Sequence, residues 1–269
     1  MLSRVLQSVL TFSFVLCLLG AVSDDHIPAA EVIESWPALA TEEHPRHSEG
    51  DTIVLKDGSL LVGWTEFHKT NSDFAAAHIA GRKSTDGGRT WGEQFILQQN
   101  VGQLNTMSLS FLRLNNSDEL LMFFLVKNSK ADLNLVVCRS SDEAETWTKP
   151  QRITTEDGYH IMNNARAIQL SSGRLLCPVS TTRLIHSSEH PLKNVCYFSD
   201  DDGKTWKRSR DAVSVPKRGA MEPGLIERRD GSLLQIIRTQ MGSIWITDSS
   251  DGGDTWSAAR PWNVTSPEA

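Results

Sequence analysis

The chain has 269 residues, of which 39% are hydrophobic and 22% are charged, and its formal net charge is −6. This composition is that of an ordinary folded globular protein and excludes disorder as the bulk state. Nonspecific nucleic-acid binding needs a basic surface, so the acidic balance argues against nucleic acid as a partner. The length suits one large all-β domain or two ordinary domains.

The N-terminus has the pattern of a secretory signal peptide. A positive residue, Arg4, precedes an apolar run at 9–19, and small residues follow at a plausible cleavage position. The run is well below the ~20 residues of a spanning helix, which makes a membrane anchor the less favoured alternative. We expect a signal peptide at 1–23, a mature domain at 24–269, a secreted or periplasmic location and no stable membrane insertion.

Three cysteines remain beyond the expected signal peptide: Cys138, Cys177 and Cys196. An odd number does not form a disulfide framework, and all three lie in apolar runs typical of strands. We therefore expect buried free thiols. None has metal-ligand spacing, so the sequence implies neither a metal nor a cofactor.

An eight-residue motif with the pattern Ser-x-Asp-x-Gly-x-x-Trp recurs along the chain. Intact copies end at Trp91, Trp206 and Trp256, and a copy with Ala144 in place of the glycine ends at Trp147. Asp can accept backbone N–H bonds within such a turn, Gly accepts the left-handed conformation, and Trp can pack between sheets. We interpret the motif as a structural turn, with a ligand or metal role for the Asp as the disfavoured alternative.

A second repeat is in step with the first. A turn followed by Leu-Leu precedes each motif, and apolar runs flank each turn, which is the pattern of a β-hairpin. The predicted strand pairs are 52–55 and 60–65, 109–114 and 120–126, 167–170 and 175–180, and 225–227 and 233–239. Each repeat then reads as a hairpin, a third strand, a polar turn and a fourth strand. Four such repeats predict an all-β fold with about four propeller blades.

The first strand of every propeller blade lines the central funnel. When the repeats are aligned on the hairpin glycine, Glu49, Asn164 and Glu222 fall at the same position, and the second blade's counterpart falls at 105–108. Arg166 follows two residues after Asn164 and shares its strand face. Polar residues at one level of otherwise apolar strands suggest a site there, with ordinary strand-end salt bridging as the alternative.

Hairpin pairing adds the neighbours of these residues. A two-residue turn at Asp230-Gly231 places Arg238 beside Glu222 to within one residue. The same arithmetic places Glu49 opposite Glu66. Blade 4 is therefore expected to provide a Glu–Arg pair, and blade 1 a pair of carboxylates.

These residues resemble the sialidase superfamily, a group of six-bladed β-propellers whose Asp boxes match the motif described above. The resemblance covers roughly 49–262. Glu222 and Arg238, 16 residues apart, match the spacing of the family's catalytic Glu and one of its three substrate-binding arginines. Asp73 falls close to the place of the family's acid/base Asp, and the stretch at 169–178 resembles the family's strand motif.

The resemblance implies a retaining exo-glycosidase that releases sialic acid or a related acidic sugar from glycoconjugates. It assigns Glu222 as the base beside a tyrosine nucleophile and Asp73 as the acid/base. Arg238, Arg166, Asn164 and Glu49 would bind the substrate, because arginine recognises a carboxylate through a charged fork.

The sequence departs from the family pattern in two places. Arg46 is near the place of the family's first arginine but out of register, and the acidic Glu49 occupies that level. The family's third arginine and tyrosine nucleophile follow the last Asp box, whereas the only tyrosines here, Tyr159 and Tyr197, precede Glu222. The first departure implies a different specificity, for another acidic sugar or a neutral one. The second, together with only four blades, implies a C-terminally incomplete sequence or a truncated homologue.

Three functions therefore remain open from the sequence. The first is a secreted sialidase-like glycosidase without a metal. The second is a non-catalytic carbohydrate-binding propeller that lacks the tyrosine nucleophile, and the third is a propeller used for protein interaction or adhesion.

Overall fold

The computed structural model describes residues 33–265. The expected signal peptide at 1–23 lies outside the described residues. Within residues 33–265 the chain forms eighteen strands and no α-helix, so this part contains no helix capable of spanning a membrane.

The strands form four successive groups in chain order, which we call blades 1 to 4. Blade 1 contains β1 (Arg46–Val54), β2 (Leu60–Phe67), β3 (Ala77–Ser84) and β4 (Phe95–Gln98). Blade 2 contains β5 (Asn105–Arg113), β6 (Leu120–Ser129), β7 (Asp132–Ser140) and β8 (Gln151–Arg152). Blade 3 contains β9 (Tyr159–Ile161), β10 (Ile168–Gln169), β11 (Leu175–Thr182), β12 (Lys193–Ser199), β13 (Lys207–Arg208) and β14 (Val213–Ser214). Blade 4 contains β15 (Met221–Glu227), β16 (Leu233–Arg238), β17 (Ser243–Ser249) and β18 (Arg260–Thr265).

Neighbouring strands within a blade pair antiparallel, and all four predicted hairpins are present. One contact departs from the simple repeat: Leu133 of β7 pairs in parallel with Tyr159 of β9 and joins blades 2 and 3 into a ten-stranded sheet. The first strands also begin earlier than predicted, because the polar stretch that opens β1 pairs with the end of β2.

The core consists of apolar layers between successive blades. Leu61 and Ile79 of blade 1 pack with Leu109 and Phe124 of blade 2, and a similar layer joins blades 3 and 4. Sheets buried on both faces have continuous apolar strands, which explains the unbroken apolar run of β6. Because each layer pins two blades, the first strands are held in fixed relative positions.

The repeated motif is a structural turn, as predicted. In the third copy, Asp201 accepts hydrogen bonds from the backbone N–H and the hydroxyl of Thr205 at 2.9 and 2.6 Å, and Ser199 accepts one from the N–H of Gly203 at 2.8 Å. Ala144 of the degenerate copy adopts the same left-handed conformation, with φ of 66°. Trp206 packs against the core shared by blades 2 and 3.

The three cysteines confirm the prediction made from their number and surroundings. Cys138, Cys177 and Cys196 are buried free thiols. Burial raises the pKa of Cys138 to about 12, so this side chain remains an unreactive thiol at neutral pH.

Candidate active site

In blades 1, 2 and 4 one residue of the first strand adopts the left-handed backbone conformation, and in blade 3 such a residue lies between β9 and β10. These residues are Glu49, Ser108, Ala165 and Glu222, with φ of 55°, 56°, 52° and 47°. Strand pairing shifts register at this position in blades 1, 2 and 4, which marks a β-bulge. A left-handed non-glycine residue costs roughly 1–2 kcal/mol, and bulges change the direction of a side chain. The same strained backbone conformation therefore recurs at the corresponding position of four blades, and in three of them it forms a β-bulge.

The bulges correct one part of the predicted alignment. Ala165, not Asn164, is the blade 3 residue that matches Glu49 and Glu222. Asn164 lies one residue earlier, and its side-chain amide donates a 2.9 Å hydrogen bond to the carbonyl of Gly50. Asn164 thus joins the first strands of blades 1 and 3 and helps to bring them together.

The predicted pairing of Glu49 with Glu66 is wrong. His47, rather than Glu49, lies opposite Glu66, because the hairpin loop holds three residues instead of two and the bulge adds a further one. Glu66 is buried and contacts His47 at 3.3 Å and His78 at 3.2 Å. In the described part of the chain, no group of three or more His, Cys, Asp or Glu side chains is arranged to hold a metal ion.

Blade 4 provides an ion pair at its bulge. The predicted proximity is confirmed: Met221 pairs with Arg238 in the sheet, and Nη1 of Arg238 lies 2.7 Å from Oε1 of Glu222. Each side chain is about one-third exposed, at 35% for Glu222 and 31% for Arg238. The N–H of Glu222 donates a 2.9 Å hydrogen bond to the hydroxyl of Ser180 in blade 3, which fixes the bulge.

Arg166 extends from blade 3 towards β15, the strand that carries Glu222. Its backbone N–H donates to the hydroxyl of Ser110 in blade 2 at 3.1 Å. Its Nε is buried without a hydrogen-bond partner among the described residues, and it lies 3.9 Å from the place that a Cβ on Gly224 of β15 would occupy. The unsatisfied donor therefore lies beside the strand that carries Glu222.

Blade 1 gathers a second charged group. Nη1 of Arg46 lies 2.5 Å from Oδ1 of Asp73, and Nη2 lies 3.5 Å from Oε1 of Glu49. The guanidinium stacks over the Phe67 ring at 4.3 Å. Arg46, although out of register in the sequence, therefore contacts both candidate carboxylates of this blade.

The loop that carries Asp73 is anchored through its backbone. The carbonyl of Asp73 accepts hydrogen bonds from Nζ of Lys127 at 2.6 Å and from Nδ2 of Asn105 at 2.9 Å. The side chain of Asp73 remains 59% exposed. Blade 2 thus holds the loop in place while the carboxylate stays accessible.

Burial controls the electrostatics of the blade 1 group. It raises the pKa of Glu49, with the positive charge of Arg46 opposing the shift. It also lowers the pKa of Lys127 to about 8, although Asp73 and Glu49 favour the charged form. Oε2 of Glu49 is buried without a hydrogen-bond partner. Both groups are therefore closer to neutrality than they would be in water.

Sequence reasoning missed Lys127, which is only 1% exposed. The sequence does indicate it, because a lysine directly follows the seven apolar residues at 120–126. Charged residues are rare in such buried strands unless they have a specific partner. The two tyrosines are also buried, and burial raises the pKa of Tyr159 and of Tyr197. In this structure, neither phenol is placed as an accessible nucleophile.

Comparison with known proteins identifies relatives of this chain. A family model described as a BNR repeat-like domain matches residues 58–269. A sialidase from Micromonospora viridifaciens is 28% identical, over 85% of this chain and 39% of its own length. The chain therefore spans about two-fifths of that relative.

Solved structures share the fold at low sequence identity. A protein of unknown function from Dyadobacter fermentans superposes with a TM-score of 0.69 at 19% identity, over 85% of this chain and 72% of its own. The Hadza microbial sialidase superposes with a TM-score of 0.68 at 18% identity, over 83% of this chain and 48% of its own. The chain belongs to the BNR repeat-like domain family and, with it, to the sialidase superfamily.

Proposed function

We propose that the protein is a sialidase-like exo-glycosidase that releases terminal sialic acid, or a related acidic sugar, from glycoconjugates with retention of configuration. The observation that carries the proposal is the 2.7 Å Glu222–Arg238 pair at a left-handed bulge. Sialidase relatives and the family match support it. The predicted signal peptide supports a secreted or periplasmic location.

Arginines from blades 3 and 4 would recognise an acidic sugar. Arg238 and Arg166 would bind the substrate carboxylate, and the unsatisfied Nε of Arg166 is one donor available for it. Glu49 would otherwise repel that carboxylate. Burial raises the pKa of Glu49, which weakens this repulsion, and Asn164 would contact the sugar ring.

Asp73 is the proposed acid/base. Its carboxylate is exposed, its backbone is fixed by Lys127 and Asn105, and Arg46 orients it at 2.5 Å. In the first step it would protonate the leaving-group oxygen, and in the second it would take a proton from the attacking water. Glu222 would act as the base for a nucleophilic group.

The buried tyrosines favour one alternative. With Tyr159 4% exposed and Tyr197 fully buried, the described residues place no phenol against Glu222. A non-catalytic carbohydrate-binding propeller would use the arginines and Glu222 in the same positions without turnover.

A fluorogenic sialoside assay tests these functions on the protein and on Glu222→Gln. We expect hydrolysis by the wild type and a loss of about 100-fold in the variant, the usual contribution of a general base. The matched control is Glu227→Gln, at the far end of β15, where the carboxylate bonds Ser171 instead. Glycan binding without hydrolysis in the wild type would support the binding module, and absence of both would leave protein interaction as the function.

A further inference from the structure

A cavity of about 560 Å³ lies beside the candidate active site, and its volume falls within the roughly 300–1,000 Å³ range of small-molecule pockets. We call it the Lys217–Arg218 pocket. Its polar lining includes Thr182, His186, His190, Lys217, Arg218 and Gln240. None of the described residues that line it is an aspartate or a glutamate, so its fixed charge is positive.

The pocket adjoins both charged groups of the site. Phe74, directly after Asp73, makes an edge-on contact with His186 at 6.5 Å between ring centroids. On the other side, Gln240 follows Arg238 by two residues, and its carbonyl accepts a 2.7 Å hydrogen bond from Nζ of Lys217. The cavity therefore lies beside residues that are close in the chain to Asp73 and to Arg238.

Backbone hydrogen bonds fix the segment that carries Lys217 and Arg218. The N–H of Leu192 donates to the carbonyl of Arg218, and Leu192 accepts from the N–H of Ala220, both at 2.9 Å. Between them Gly219 has φ of 97°, and a Cβ there would lie 2.1 Å from the carbonyl oxygen of Leu192. The close approach requires glycine and holds Arg218 against the cavity.

The two cations have capacity for a ligand. Nζ of Lys217 uses one donor on Gln240 and keeps two more. Neither Lys217 nor Arg218 forms an ion pair with a described carboxylate. By contrast, the neighbouring cavity across His190 contains Glu156, Asp157 and Glu189 in its lining.

We propose that the Lys217–Arg218 pocket binds an anionic sugar, carrying a carboxylate or a sulphate group, on the leaving-group side of the substrate. The inference rests on the proposed function for the direction of the substrate. Its charge preference rests on the pocket alone, because a lysine and an arginine without acidic partners favour an anion over a neutral sugar.

Equilibrium binding of three probes tests the proposal: lactose, lactose with one sulphate ester, and lactose oxidised to a uronate. We expect at least one anionic probe to bind about tenfold more tightly than lactose at low salt, and the preference to weaken as salt is added. Lys217→Gln/Arg218→Gln should bind all three alike. Lys217→Arg, which keeps the charge, should keep the preference.

The matched control is Lys204→Gln/Lys207→Gln, two exposed lysines at the opposite end of blade 3, which should keep the preference. Equal binding of neutral and anionic probes, or an unchanged preference in Lys217→Gln/Arg218→Gln, would overturn the proposal. Sialoside hydrolysis by the wild type is measured separately. Hydrolysis without an anion preference refutes this pocket alone, and an anion preference lost in the double variant supports the pocket even where hydrolysis is absent.

Discussion

Blades 1 and 4 place a glutamate on the same backbone feature but in different surroundings. Glu49 and Glu222 both occupy a left-handed bulge in the first strand, with φ of 55° and 47°. Glu222 faces Arg238 across the hairpin at 2.7 Å and is 35% exposed, whereas the Glu49 side chain is 19% exposed and lies 3.5 Å from Arg46.

The difference arises from what covers each bulge. In blade 1 the Asp73 loop lies near Glu49, and Lys127 of blade 2 fixes that loop, so desolvation dominates and raises the pKa of Glu49. In blade 4 no such loop of the described chain covers the ion pair, and about one-third of the Glu222 and Arg238 side chains reaches solvent. The two bulges therefore place their glutamates in surroundings of different polarity.

The largest expected effect separates the two glutamates in catalysis. Glu49→Gln should reduce kcat/KM for a fluorogenic sialoside by less than about tenfold, mainly through KM, because the amide keeps the size of the side chain and one hydrogen-bond acceptor. Glu222→Gln should lose about 100-fold in kcat, because an amide cannot accept a proton. Steady-state kinetics on both variants measure the split, and equal losses would show that the two positions share one role.

The buried lysine near Glu49 should show itself in the pH dependence of stability. The folded-state pKa of Lys127 is about 8 against an ordinary 10.5, so the unfolded chain binds more protons between these values. The free energy of unfolding, relative to that of Lys127→Met, should therefore rise by about 2 kcal/mol between pH 8 and 10.5. Urea unfolding across this range measures it, and parallel curves for the two proteins would contradict the burial argument.

Glu49 should give the opposite slope at lower pH. Its folded-state pKa lies above the ordinary 4.5, so the folded protein binds more protons and loses stability as the pH rises from about 4.5. Glu49→Gln removes that loss and should be more stable than the wild type at pH 7, with the difference vanishing at pH 4. Thermal unfolding at pH 4 and 7 tests this, with Glu227→Gln as the control that should show no such gain.

The smallest expected effect tests the left-handed backbone at a position that has no functional side chain. Ala165 has the same left-handed backbone, with φ of 52°, and no functional group. Ala165→Gly removes a penalty of roughly 1–2 kcal/mol but adds unfolded-state entropy, for a net gain below about 1 kcal/mol. Its Tm should rise by about 1–3 °C. Ala167→Gly, at a nearby buried position, should lower Tm, and a fall in both would mean that the left-handed backbone at Ala165 is not strained.

Local pattern predicted much of the fold because its causes are local. The motif around Asp201 forms its turn through hydrogen bonds between residues at most four positions apart. The apolar runs specify the hairpins in the same way, because the paired strands are neighbours in the sequence. The Glu222–Arg238 pairing was predictable for the same reason, since one hairpin fixes both residues. The Glu49–Glu66 prediction failed because a bulge and a longer loop change the register of the hairpin. The stretch around Glu49 is polar, so alternating hydrophobicity could not reveal this change.

The sequence by itself determined the blades, the turns, the free thiols and one ion pair, because each follows from composition or from residues close along the chain. Only the tertiary structure decided that Arg46 meets Asp73, that Lys127 is buried against the Asp73 loop and that Glu49 is desolvated. These contacts join residues 27 to 54 positions apart across two blades. Such distances and the burial that shifts a pKa depend on how sheets pack, and packing is set by the whole core rather than by any one segment.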